Sequence, residues 1–296
     1  MKREIQETMG DIVLFDAPMS RYTSLQIGGP ADAIVFPRHV SDLENLMTTV
    51  RKREIPYMVM GKGTNLLVRD RGIRKLVINL SAGFRKISFA GERIHVEAGF
   101  LLNDMIGVAT KRGLWGLSSL YGIPGTVGGG LAMNAGAWGL DVMERVETIT
   151  VMNSDGKVWE TAKEDLDYAY RRVNLEEGTI VVSGTFLMAR GSKNKIEEEI
   201  AFYQKKRRET QPLRFPSAGS IFKNPSGHSA GKIIDELGLK GKRVGGAEVS
   251  TLHGNFIINA GGATASHVLQ LIELIQEHVF KERAITLEAE VRIVGE

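Results

Sequence analysis

Between Gly122 and Gly139 the chain reads GIPGTVGGGLAMNAGAWG, seven glycines in eighteen residues with one proline and no acidic side chain. Glycine weakens a regular element because the unfolded chain loses more freedom there on folding. So dense a cluster marks a place where backbone must come close to something: another strand, a tight turn, or a ligand rich in phosphate. A second glycine loop, GKGTN (Gly61–Asn65), follows the apolar run YMVMG (Tyr57–Gly61). Backbone N–H groups in such a loop can cradle a phosphate.

Neither loop belongs to the commonest nucleotide folds. A P-loop needs Ser or Thr directly after Gly-Lys, where Gly63 stands, and a glycine at the place of Pro56. The spacing G-x-x-G-x-x-G-G from Gly122 is not the dinucleotide fingerprint, no strand leads into it, and no helix is expected after it. An ordinary pair of surface turns is the plain alternative.

The chain around these loops reads as mixed strand and helix. Strands are expected at Ala31–Pro37, Tyr57–Gly61, Lys75–Asn79 and Arg93–Gly99, in a hairpin across Asn153–Gly156, and at Ile180–Ala189. Helices are expected at Ser41–Glu54, with Ser41 and Glu44 at capping-box spacing, and at Leu101–Arg112. A charged helix spans Ser192–Thr210, and the two prolines of QPLRFPSAG mark a boundary after it. Beyond that lie a helix at Ser229–Leu237 stopped by Gly238, a strand at Asn255–Asn259, a helix from Thr264 to Arg283, and a final strand ITLEAEVRIVG.

Composition limits the chemistry. The 296 residues are 43% hydrophobic and 25% charged with a net charge of +3, a globular balance that suits an anionic small molecule as well as nucleic acid. There is no cysteine, which excludes disulfides, thiolate nucleophiles and Cys-type zinc sites, and the six histidines show no metal-ligand spacing, so no metal is expected. The segment MKREIQETMGDIVLF has no apolar leader core and no run is long enough to span a bilayer, so the expected compartment is the cytoplasm, without a membrane partner. Nucleic acid is not expected either: no aromatic RNA motif is present, and the basic QKKRR (Gln204–Arg208) is balanced by Glu197–Glu199. At least three of its four charges are expected on a solvated helix face.

Six motifs in order carry a resemblance: SLQIGGPAD (Ser24–Asp32), GKGTNLLVRD, GIPGTVGGGLAMNAGAWG, Tyr170–Arg171, GSIFKNP (Gly219–Pro225) and EVRIVG. From about residue 20 onward the chain resembles the UDP-N-acetylenolpyruvoylglucosamine reductases, flavoenzymes that make UDP-N-acetylmuramate for peptidoglycan. The interval from Arg171 to Ser220 resembles the class without a tyrosine-bearing insertion. The resemblance implies an α+β protein: a two-lobed FAD-binding domain of the vanillyl-alcohol-oxidase (PCMH) type and a smaller α+β substrate-binding domain. The implied division is 1–20, an N-terminal segment; 21–195, the FAD domain with lobes of about 21–80 and 81–195; 196–284, the linking helix and substrate domain; and 285–296, a C-terminal strand.

By the same resemblance FAD is held non-covalently, with NADPH as hydride donor, a UDP-sugar as substrate and no obligate protein partner. Neither loop carries a His and the chain has no Cys to tether the flavin. The implied cofactor residues are Gly61, Lys62, Gly63, Thr64, Asn65 and Leu66 in one loop. Those of the other are Gly122, Ile123, Pro124, Gly125, Thr126, Gly128, Gly129, Asn134, Gly136 and Ala137. A branched side chain at Gly63 or Gly128 is then expected to displace phosphate while leaving the fold in place.

The chemistry implied is hydride addition to a terminal methylene, which needs an anion stabiliser and a proton for the carbon beside the carboxylate. Ser220 matches the proton donor. Arg171 matches the arginine that meets the substrate's carboxylate and enolate oxygens, a task suited to an always-charged bidentate donor. Arg172 beside it, and Val173 where a hydroxyl residue is frequent, leave the register open. Glu290 matches the glutamate beside the enolate, although by strand alternation alone Glu288 would share its face. Tyr170, Lys223 and Asn224 match substrate-binding positions, while Thr210 stands where a lysine is frequent. A flavin oxidase or dehydrogenase of a hydroxy acid or alcohol is the alternative; it would keep both glycine loops without needing GSIFKNP or the final glutamate.

Overall fold

The computed structural model describes residues 2–296. The chain divides into two compact units, one formed by 1–15, 33–62 and 75–205, the other by 16–32, 63–74 and 206–296.

The first unit holds α1 (Lys2–Met9), α2 (Val40–Lys52) and the larger part of a sheet ordered Val13–Pro18, Pro30–Val35, Ile73–Asn79, Tyr57–Met60. Leu43, Leu46, Met47 and Val50 recur at helical spacing along α2, and all four are buried. The helix begins earlier than the Ser41–Glu44 spacing suggests. His39 is the N-cap, and the Asp42 carboxylate accepts from the backbone N–H of Arg38 at 2.8 Å and of His39 at 3.3 Å. A carboxylate in the first turn satisfies donors that the helix leaves open.

The same unit holds a five-stranded antiparallel sheet ordered Val158–Ala162, Val146–Met152, Ile180–Leu187, Arg93–Glu97, Ile87–Ala90. The expected hairpin closes through Gly156, at φ +81°, whose N–H donates to Asn153 O. Against this sheet lie α3 (Leu102–Lys111) and α4 (Val127–Met133). The sequence gives no warning of α4, which runs straight through Gly128, Gly129 and Gly130. Packing overrides their poor helix propensity. A Cβ on Gly128 would lie 2.6 Å from Ala98 Cβ, and one on Gly184 of the sheet 2.8 Å from Leu131 Cδ1 of the helix. Small residues on both sides let helix and sheet backbones approach. The charged α5 (Lys193–Thr210) follows, with Lys205, Lys206 and Arg208 exposed and Arg207 buried. Burial pushes the Arg207 guanidinium down to about 10.

The second unit contains an antiparallel sheet ordered Ser217–Ser220, Phe256–Asn259, Ala247–Val249, Arg243–Val244, with α6 (Ala230–Glu236) and α7 (Ala265–Arg283). Ser229 caps α6, and Gly238 at φ +67° lies just beyond its end. Thr264 caps α7, whose first amides also donate to the Asp70 carboxylate, Ala265 at 2.7 Å and Ser266 at 2.9 Å. Val268, Leu271, Ile272, Ile275 and Val279 turn one face of α7 into the core.

The C-terminus departs from expectation. Only Arg292–Val294 is strand, paired in parallel with Leu66–Val68. Residues 285–291 are irregular, held by a single bridge between Ala289 and Phe222 and by the bonds described below.

Candidate active site

Strand Tyr57–Met60 delivers the chain into Gly61, and Leu66–Val68 carries it away. Between them Gly63 takes φ +64°, a backbone region that side chains disfavour, and its carbonyl accepts from Ser24 N–H at 3.1 Å. In the other loop Gly122 (φ +97°) and Gly125 (φ +140°) need the same freedom, and Gly122 N–H donates to Asn103 Oδ1 at 2.7 Å. The loops touch where a Cβ on Gly61 would overlap Thr126 Oγ1. That hydroxyl, buried, accepts from Gly129 N–H at 3.2 Å and so caps α4. Within the first unit Gly61, Lys62 and Gly122–Gly139 offer backbone amides, the Lys62 ammonium and the Thr126 hydroxyl, and no carboxylate at all. Such a donor set fits a diphosphate anion.

The glycines of the long stretch do not share one task. Gly128 N–H donates to Ala98 O at 2.9 Å and its Cα faces Ala98, so its bareness serves packing rather than a phosphate. A branched residue there would disturb the fold, which corrects the expectation of local loss only. A Cβ on Gly136 would overlap the Asp141 carboxylate and lie 2.8 Å from Arg171 Nη1. Asn134 holds a left-handed φ of +49° and is buried, its amide donating to Ala169 O at 3.0 Å while its oxygen accepts from Met143 N–H at 3.3 Å. Gly136 and Ala137 pair with Asp141 and Leu140 in a small hairpin.

Tyr170 and Arg171 occupy the tip of another hairpin, whose arms pair Tyr168 with Val173 and Ala169 with Arg172. Arg171 takes φ +56°, and its guanidinium folds back: Nη2 donates to Gly136 O at 2.6 Å, Nη1 to Asp141 Oδ1 at 2.9 Å and to Asn134 O at 3.2 Å. The Tyr170 ring centroid lies 4.7 Å from that guanidinium. Arg172 differs in kind, with an exposed side chain 3.5 Å from exposed Asp167. Identical residue types one position apart thus have opposite surroundings.

In the second unit Ser220 ends its strand opposite Phe256, directly after Gly219 at φ +76°. The next residues are gripped by Asn255, which is buried. Its backbone carbonyl accepts from Ile221 N–H at 2.9 Å, its side-chain oxygen accepts from Phe222 N–H at 2.9 Å, and its amide donates to Phe222 O at 2.8 Å. Ile221 O accepts from Glu290 N–H at 2.8 Å, which brings Ser220 and Glu290 together through one intervening residue. Glu290 O accepts from Asn65 Nδ2 at 3.0 Å. Glu288, the other carboxylate left open by alternation, is engaged elsewhere: it forms an ion pair with Lys223 at 2.5 Å while its own side chain stays exposed. Asn224 Oδ1 accepts from Ala230 N–H at 3.0 Å, at the start of α6.

Asp141 and Asn255 carry no motif, and the sequence marks neither as a site residue, Asn255 being expected simply as the first residue of a strand. Asn255 leaves one trace, a polar residue heading the apolar run FII. Nothing in the sequence announces Asp141, since its meaning lies in an arginine thirty residues away. Among the described residues no group of three or more His, Asp or Glu could hold a metal ion, and no helix is long and apolar enough to cross a membrane.

Residues 31–162 match the model of an FAD binding domain, and residues 211–294 match that of the UDP-N-acetylenolpyruvoylglucosamine reductase C-terminal domain. A UDP-N-acetylenolpyruvoylglucosamine reductase of Geobacter metallireducens is 48% identical over 290 residues, 98% of this chain and 96% of that one. One from Pelobacter propionicus is 44% identical over 289 residues, 97% of each chain. Among solved structures, the UDP-N-acetylenolpyruvylglucosamine reductase of Thermus caldophilus superposes with a TM-score of 0.83 at 38% identity, covering 96% of this chain and 98% of that one.

Proposed function

The chain belongs to the UDP-N-acetylenolpyruvoylglucosamine reductase family, and from that we propose which of its residues perform the family's reaction. It is a flavin-dependent oxidoreductase of α+β fold that reduces the enolpyruvyl group of a UDP-sugar to give UDP-N-acetylmuramate. FAD is its cofactor and NADPH its hydride donor, and the hydroxy-acid oxidase reading is set aside. When bound, FAD would supply the two-electron chemistry that carries hydride from NADPH to the terminal methylene carbon of the substrate.

The two glycine loops hold the cofactor's diphosphate without a covalent tether. Lys62 supplies charge, Gly61, Gly63, Gly122 and Gly125 supply close backbone approach, and Thr64 and Thr126 supply hydroxyls. This reading is supported by the meeting of Gly61 with Thr126 and by the absence of any carboxylate in either segment. Gly136 serves the site indirectly, by making room for the Asp141–Arg171 pair.

Hydride addition to the methylene leaves negative charge spread over the α carbon and the carboxylate oxygens. Arg171, rather than Arg172, meets those oxygens, since a partly buried, doubly anchored guanidinium is a preorganised donor and an exposed one is not. Ser220 gives its hydroxyl proton to the α carbon and recovers one from water. Glu290 stands beside it and steadies the transfer, a pairing supported by the Ile221–Glu290 hydrogen bond. Tyr170 and Lys223 contact the sugar nucleotide, whereas Asn224 acts by fixing the start of α6.

The functional division follows the same reading, with cofactor binding over 21–195 and substrate binding over 196–284 ahead of the glutamate-bearing terminus. A UDP-activated sugar and NADPH place the work in the cytoplasm, feeding the wall and, through it, cell shape and division. The direct test is optical. The protein should be yellow, release intact FAD on denaturation, bleach with NADPH, and regain colour on adding the enolpyruvyl UDP-sugar. Flavin that stays on the denatured chain would refute the untethered site, and colour that returns only with oxygen would refute the reaction.

A further inference from the structure

We propose that Asp141 is the positioning residue for Arg171, and that Gly136 is glycine to let the two meet. The inference rests on the reading that Arg171 engages the substrate's carboxylate.

Three observations carry it. The Arg171 side chain is only 13% exposed and its charge is met by Asp141 Oδ1 at 2.9 Å. Taking a guanidinium partly out of water is costly unless charged and polar acceptors meet it, so the Asp141 carboxylate helps to fix where it rests. Next, Asp141 does not act alone on the orientation. Gly136 O and Asn134 O take donors from both terminal nitrogens, and the Tyr170 ring lies against the guanidinium at 4.7 Å. A planar donor held at both terminal nitrogens and beside a ring has little freedom left to pivot. Finally, a Cβ at position 136 would overlap the Asp141 carboxylate and stand 2.8 Å from Arg171 Nη1. The missing side chain therefore vacates the space this ion pair fills.

Arg171 also sits at φ +56°, a region a non-glycine residue leaves unless contacts hold it. With Asp141 gone, Nη1 loses the charged acceptor it holds at 2.9 Å beside Asn134 O, and the guanidinium's seat loosens. A displacement of about an ångström at a substrate-orienting group costs on the order of 10²-fold in rate.

The test follows the colour of the FAD-loaded protein in two separate steps, with calorimetric binding of the product UDP-N-acetylmuramate as a further readout. Asp141→Ala should keep its rate of bleaching by NADPH, regain colour about 10²-fold more slowly with the enolpyruvyl UDP-sugar, and bind the product more weakly. Asp141→Asn, which retains an acceptor oxygen without charge, should fall between wild type and Ala and serves where the Ala variant fails to fold. In an Arg171→Ala background, Asp141→Ala should add no further slowing. Equal slowing of both steps by Asp141→Ala, or full additivity with Arg171→Ala, would overturn the proposal. If Arg171→Ala itself regains colour at the wild-type rate, the underlying reading of Arg171 is the part that fails.

Discussion

Asn65 donates its side-chain amide to the backbone carbonyl of Glu290 at 3.0 Å, while Arg292 N–H donates to Asn65 O at 3.0 Å. The loop assigned to the cofactor and the segment bearing the proposed catalytic glutamate are thus laced to each other. Parallel pairing of Arg292–Val294 with Leu66–Val68 continues the lacing. Asn65→Ala should remove one half-buried hydrogen bond, worth about 1 kcal/mol, and let the segment before the strand loosen. Urea unfolding should show that modest loss together with slowed return of colour with substrate. A variant that loses stability but keeps full turnover would show that the tie does not serve Glu290.

The contact of Gly61 with Thr126 gives a paired prediction. Gly61→Ala should lower the FAD content of the purified protein, because its Cβ would overlap Thr126 Oγ1 and drive the loops apart. Thr126→Ala alone costs the cap on Gly129, about 1 kcal/mol. The double variant should hold more FAD than Gly61→Ala alone, since the clashing oxygen is gone. Gly128→Val should behave differently, lowering the unfolding temperature through its clash with Ala98. Equal FAD content in Gly61→Ala and the double variant would show that the overlap is relieved some other way.

The elements built on apolar periodicity were legible in the sequence. α2 shows its buried stripe from Leu43 to Val50, and α7 its cap at Thr264 and its end at Arg283. What escaped was set by tertiary contact. α4 is a helix because Gly128 and Gly184 permit close packing, a reason invisible to a scale that ranks glycine low. The run from Ile285 to Val291 alternates like a strand yet finds only the Ala289–Phe222 bridge, since Ser217–Ser220 pairs with Phe256–Asn259 in the sheet. The site shows the same divide. Motifs named Ser220, Arg171 and Glu290, but no pattern could separate Arg171 from Arg172, because their difference lies in what Asp141 and Asp167 do to each.

His253 supplies a pH dependence. Burial, with the charge of Lys240 adding to it, holds its imidazole below the ordinary 6.5, and its Nδ1 accepts from Asn255 N–H at 3.2 Å. The folded protein therefore keeps this ring neutral where the unfolded chain would protonate it. Stability from this group is complete above about pH 6.5 and is lost as pH falls from there toward the lower folded value. Asn255 is the residue that clasps Phe222, so acid loosening reaches the segment after Ser220. Urea midpoints compared at about pH 7.5 and about pH 5.5 should fall less in His253→Asn than in wild type. An unchanged difference would assign the acid sensitivity to other groups.

Ser220→Ala separates the two halves of the reaction most sharply. Bleaching by NADPH asks for no proton at the substrate's α carbon, so its rate should stay near wild type. Return of colour with the enolpyruvyl UDP-sugar requires that proton, and loss of a positioned donor costs on the order of 10²–10⁴ in rate, about 3–5 kcal/mol. Ser220→Cys should recover part of the loss, because a thiol is a stronger acid of similar size. The surrounding frame should survive both changes, since Ile221 and Phe222 are held by Asn255 through bonds that do not involve the serine hydroxyl. Stopped-flow absorbance of each half-reaction, with melting temperatures as control, decides the matter. Colour that returns at the wild-type rate in Ser220→Ala would reduce the serine to a strand-terminating residue and leave the proton to come from elsewhere.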